Sequence, residues 1–191
     1  MRNAIRFMVL VALAAFTAAA LPAQQQAPAK NSPNSLPPPS QDLLGAWNYA
    51  MGKLVTMAKD FPENKYDFKV QKDQRTFAEN LLHVSGEAFL TASAVKGSQV
   101  GPKFEGENPS RANYKTKADV VKLIEDALAA GADLIKTQGE TGMNKPVVSP
   151  FSAHPVRAST LWWSVIEDSA EHYGQLVVYY RANNMVPPAS R

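Results

Sequence analysis

Asp168 and His172 lie four residues apart in "IEDSAEHYGQLVVYYRANNMVPP", residues 166–188. On a helix, residues at this spacing project from the same face and meet. Placed on a wheel, Asp168, His172 and Gln175 fall within about 60° of Leu161, alongside Val165, Leu176 and Tyr179. Three polar residues therefore interrupt an apolar, core-facing stripe. A carboxylate on such a stripe is costly unless it is paired or binds a metal. Two chemistries satisfy that condition. One is an Asp168–His172 ion pair capped by Gln175. The other is part of a metal site, since an Asp oxygen and a His nitrogen suit zinc or another divalent first-row ion. Tyr173 and Tyr179 are candidates for a hydrogen bond to substrate, with core packing as the alternative.

A metal needs a third ligand, and the chain has three histidines in all. His83, in "AENLLHVSGEAF", sits roughly opposite Phe77 and Leu81 on its helix, close to Glu79 and Glu87. That position reads either as a solvent-facing histidine between two acids or as the missing ligand. Glu87, four residues on, is then a fourth ligand or an outer acceptor. His154, in "SPFSAHPVRA", reads as a surface loop residue. There is no cysteine, so the protein offers no thiolate nucleophile of its own and no disulfide. The sequence has no G-x-S-x-G elbow, no H-E-x-x-H and no glycine-rich phosphate loop.

Four amphipathic segments must position these groups. Apolar residues recur at helical spacing over 41–59 after Ser40, read as an N-cap, then over 75–95, 117–137 and 156–183. Thr116 and Asp119 form a variant capping box at the start of the third. Leu54, Leu81, Ile124, Val165 and Leu176 are the expected core. No convincing strand pattern appears, so the fold class is all-α, a four-helix bundle with long loops after helices 2 and 3. Loops of that length are functional or carry a crossover.

The chain opens with "MRNAIRFMVLVALAAFTAAALPAQQQ", which has a basic start, a short apolar run and a small residue at Ala23. This is the pattern of a secretory signal peptide over 1–23. The Gln-, Pro- and Ser-rich segment 24–40 reads as a disordered linker, and 41–191 as the bundle. Cleavage would remove Arg2 and Arg6 and bring the formal net charge from +3 to +1. That near-neutral balance, without a basic stripe, argues against nucleic acid. The expected location is secreted or periplasmic, with no stable membrane span. The expected partner is a small-molecule substrate, and a homodimer is left open.

Two stretches, "FPENKYDFKVQKDQRTFAENLLHV" and "EHYGQLVVYYRANNMVPPASR", make the chain from about Leu43 to Arg191 resemble the DinB-like (YfiT-like) superfamily, in particular its exported bacterial members. This superfamily is distinct from the DNA polymerase that shares the name. The resemblance implies a four-helix bundle with a three-ligand metal site. One histidine comes from the second helix, where His83 matches. Two come from a His-x-x-x-His pair on the last helix, where His172 matches the second and Asp168 replaces the first. It implies either a two-His, one-carboxylate site or a site that has lost its ion. Known members include thiol-dependent transferases and isomerases. The expected function is therefore a secreted metalloprotein acting as a metal-dependent hydrolase or thiol-dependent transferase, with zinc or another first-row divalent ion on His83, Asp168 and His172. The alternative is a non-catalytic binding or envelope bundle in which Asp168 and His172 form a structural pair.

Overall fold

The computed structural model describes residues 36–106 and 108–191. The signal peptide and most of the linker read from the sequence lie outside the described residues. Four helices follow in order: α1 (Pro39–Asp60), α2 (Phe77–Lys96), α3 (Lys117–Met143) and α4 (Ala158–Ala182). A two-stranded antiparallel hairpin, β1 (Pro146–Val148) and β2 (Pro155–Arg157), joins α3 to α4. Its register pairs Val147 with Val156. Sequence reading found no strand here. The strands are three residues long and each contains a proline, which leaves too little alternation to detect. Among the described residues, no helix is long and apolar enough to cross a membrane.

The helix starts are set by their caps. α1 begins at Pro39, with Pro38 in the cap position and no side-chain cap. The expected capping by Ser40 is thus corrected. The Ser40 amide instead donates to Glu140 Oε2 at 2.9 Å, a carboxylate carried by α3. α2 begins two residues later than expected, because Thr76 and Glu79 close a reciprocal capping box. α3 breaks at Gly139, whose φ of 54° and ψ of −158° leave the helical region, and then continues to Met143.

Both α1 and α2 pack on both α3 and α4. Consecutive helices α1 and α2 therefore lie across a diagonal. Phe61 at the end of α1 stacks on Phe77 at the start of α2, and Tyr180 near the end of α4 tilts against Phe61. Lys117 at the start of α3 donates to the Phe61 carbonyl. These contacts place the end of α1, the starts of α2 and α3 and the end of α4 at one pole. The helices therefore run down, up, up and down. Because α2 and α3 are parallel, residues 97–116 must return the whole length of the bundle. α2 is about 30 Å long at 1.5 Å per residue, well within the reach of such a connection. Phe104 meets Phe89, and Arg111 pairs with Asp67 at 2.8 Å, fixing the connection at both ends.

All five expected core residues are buried. The centre is a Trp47–Trp162 pair, edge to face at 5.0 Å. Trp47 Nε1 also donates to the Leu128 carbonyl at 2.9 Å. Gly131 of α3 lies against that indole, and a Cβ there would run into the ring. We expect Gly131→Ala to destabilise the protein by about 1–3 kcal/mol, although alanine is the better helix former. The midpoint of urea unfolding measures it. An unchanged or higher midpoint would mean that the tryptophan pair can shift.

Candidate metal centre

α2 and α4 run antiparallel, and their facing turns bring the sequence-expected residues together. His83 and His172 are edge to face, with ring centroids 5.0 Å apart. The donor atoms of His83, Asp168 and His172 all lie within 4.8 Å of one another. Ligands on one ion with bonds near 2.1 Å sit about 3–4 Å apart. A contraction of about 1 Å closes the cluster on an ion.

His83 is not the solvent-facing residue its wheel position suggested, since its side chain is 15% exposed. α2 is covered on one side by α3 and on another by α4, and the crossover segment brings Asn108 beside His83. The helix therefore has no clean polar face, and the wheel lost its meaning. His154 lies exposed on the hairpin, away from the cluster.

Both histidines of the cluster have an amide oxygen on Nδ1. His172 Nδ1 lies 2.8 Å from Asn80 Oδ1. Asn80 is buried and held in turn, donating from Nδ2 to the Thr76 carbonyl at 2.8 Å. The Tyr179 hydroxyl donates to the Arg75 carbonyl and stands 3.4 Å from Asn80 Nδ2. His83 Nδ1 lies 2.6 Å from Asn108 Oδ1, with the Arg75 guanidinium at 3.4 Å. An Nδ1–H donated to an amide oxygen leaves the Nε2 lone pair free, which is how metal-binding histidines are commonly oriented. Here the Nε2 atoms face acids: His172 Nε2 is 3.5 Å from Asp168 Oδ1, and His83 Nε2 is 3.3 Å from Glu87 Oε1.

The expected role of Gln175 is corrected. It is exposed and lines a separate groove with Arg75, Val178 and Tyr179. Asn80 occupies the place beside His172 instead. Tyr173 stands away from the cluster, under the Lys53 ammonium. Tyr179 is engaged with backbone and Asn80, so it supports the site and does not face a substrate.

The electrostatics follow from burial. Burial pushes the Asp168 carboxyl up to about 6, with the Glu87 carboxylate adding to the rise and the two imidazoles opposing it. Burial also pushes the Glu87 carboxyl up and the His172 imidazole down. Asp168 Oδ2 is buried and meets no hydrogen-bond donor except a proton shared with the neighbouring Glu87 carboxyl. Two imidazole nitrogens and one carboxylate with a buried oxygen form a donor set that fits a divalent first-row ion. The His83–Asp168–His172 cluster can hold such an ion.

A groove of about 450 Å³ opens onto Asp168 and Glu87. The hairpin forms one wall through Ser149, Phe151, Ser152 and Val156, and α4 forms the other. Ser149 Oγ accepts the amides of Phe151 and Ser152 at 3.2 and 3.3 Å and so shapes the hairpin tip.

Asn80→Ala removes the acceptor for His172 Nδ1 without touching a candidate ligand. We expect zinc affinity to fall about 10–100-fold, with helix content retained by circular dichroism. Unaltered affinity would show that Asn80 does not orient the ring.

The chain matches no protein-family profile and no curated protein in sequence. Its fold is matched by the crystal structure of a DinB-like protein from Bacillus cereus ATCC 10987, with a TM-score of 0.65 and 13% identity. The superposition covers 78% of this chain and 95% of that one. The chain therefore has the DinB-like fold.

Proposed function

We propose that this chain is an exported DinB-like metalloprotein that binds a divalent ion, with zinc as the first choice, on His83, Asp168 and His172. On this reading it is a metal-dependent hydrolase or a thiol-dependent transferase. The observation that carries it is the convergence of three donors beside a buried carboxylate oxygen at the end of an open groove. When bound, such an ion supplies the Lewis acidity that activates water or a thiol at neutral pH.

The residues divide the work. His83 and His172 present Nε2, held in place by Asn108 and Asn80. Asp168 offers its carboxylate from the groove side. Glu87 places a second carboxyl beside His83, where it meets a nucleophile arriving through the groove. The absence of cysteine means that any thiol in the reaction belongs to a co-substrate.

Elemental analysis of untagged protein, purified without chelator, tests the reading. About one equivalent of zinc or another first-row ion per chain is expected. A metal-free protein that takes up no added zinc overturns it and leaves Asp168–His172 as a structural pair in a binding bundle. Export is tested on the same material, since the mature N-terminus should begin near Gln24 by mass spectrometry.

A further inference from the structure

We propose that the groove beneath the hairpin receives an uncharged or cationic part of the substrate and discriminates against an anionic one. This inference rests on the metal reading above and names the substrate class for that site.

The groove has two walls and one chemically distinct end. At the end stand the carboxyl groups of Asp168 and Glu87. Among the described residues, its lining includes no lysine, arginine or histidine. The remaining polar groups are hydroxyls. Of these, Ser164 Oγ donates to the Thr160 carbonyl at 3.1 Å and retains its capacity to accept. Ser149 Oγ already accepts two amides of the hairpin tip. Leu161, Val165 and Phe151 provide the apolar surface.

Once Asp168 and the metal-binding head of the substrate offset the ion, an anionic remainder entering this space would leave water for a lining without a basic side chain and with the Glu87 carboxyl at its end. Burying a charge without a partner is costly. A neutral hydroxylated, amide or alkyl group meets hydroxyl acceptors and apolar surface, and an ammonium meets the Glu87 carboxyl. The guanidinium nearest the cluster, Arg75, lies beside His83 and lines other grooves, not this one. The two flanks of the cluster are therefore electrostatically unlike, and a substrate must enter with a defined end toward the hairpin.

The test uses zinc-loaded full-length mature protein and three probes that share a metal-binding head: benzohydroxamate, its 4-aminomethyl derivative and its 4-carboxy derivative. The hydroxamate anion and Asp168 together offset the charge of the zinc, so the ring substituent reports on the groove. Calorimetric Kd values should place the aminomethyl and unsubstituted probes at least about tenfold tighter than the carboxy probe, the scale of one charge interaction across several ångströms. Thr160→Lys places an ammonium on the exposed wall without altering a candidate ligand, and should narrow or reverse that order.

Equal or tighter binding of the carboxy probe to the unaltered protein overturns the inference. An order that Thr160→Lys leaves unchanged also overturns it, because the substituent is then not in this groove. Zinc content is measured first on both proteins. Failure to hold zinc sinks the metal reading itself, while full zinc with the wrong probe order sinks only the substrate class.

Discussion

His172→Ala is expected to abolish stoichiometric metal binding while leaving a folded helical bundle. His172 is buried, faces Asp168 through Nε2 and is oriented by Asn80. Losing an outer partner of a metal-binding histidine costs about 10–100-fold in affinity, and losing the ligand itself should exceed that range. The substitution also strands Asn80 Oδ1, so the metal-free protein should lose about 1–3 kcal/mol of stability. His83→Ala should lose the metal as well, with a smaller stability cost because its side chain is partly exposed. Asp168 separates the two readings of the cluster. Asp168→Ala should weaken binding if the carboxylate is a ligand, and Asp168→His should tighten it by supplying a third imidazole. Metal content unaffected by Asp168→Ala would reduce Asp168 to a partner of His172. These outcomes are read by elemental analysis and competitive titration with a chromogenic chelator.

Zinc affinity should fall steeply as pH drops below about 6. The Asp168 carboxyl is pushed up to about 6 in the metal-free fold, chiefly by burial. Above that value the carboxylate is ready to bind, and below it a proton must be displaced first. Affinity should fall about tenfold per pH unit for each proton released. The metal-free protein behaves differently. A raised Asp168 means that the fold holds a proton which the unfolded chain releases, so this group lowers stability as pH rises from about 4 to 6. A depressed His172 means that the unfolded chain takes up its proton first as pH falls below the ordinary histidine value. This second group therefore raises stability with rising pH in that window. The two contributions oppose each other without metal, whereas the zinc-induced rise in Tm should grow steadily from pH 5 to pH 7. Thermal denaturation with and without zinc across that range measures it. A zinc-induced shift that does not change with pH would remove Asp168 from the ligand set.

The helices and the Asp168–His172 pair were legible in the sequence because they rest on local periodicity and a short spacing, whereas His83 entered through the family resemblance, its wheel position having pointed to solvent. The supporting residues were less so. Asn80 lies three positions before His83, on the same face of α2, yet nothing local shows that its partner is 92 residues away. Asn108 sits in a Gly-, Pro- and Ser-rich stretch whose composition signals a loop and nothing about its destination. Gln175 is only about 20° from Asp168 on an ideal wheel. It is exposed although Leu176, Tyr179 and Tyr180 around it are buried, so the edge of the covered face falls between neighbouring wheel positions that no single-helix pattern separates. The Thr76–Glu79 capping box was present as T-x-x-E and would have fixed the start of α2.

The parallel course of α2 and α3 sets an order of assembly. The crossover 97–116 must span the bundle before Asn108 reaches His83, and α4, last along the chain, must dock before Asp168 and His172 arrive. Contacts this distant in sequence carry the loop-closure cost that slows folding. An ion therefore has no partial site to nucleate on while α1 to α3 alone are formed. On the proposed metal reading, an ion would enter a finished bundle, and its binding energy would add to the lifetime of the docked α4 without speeding the fold's formation.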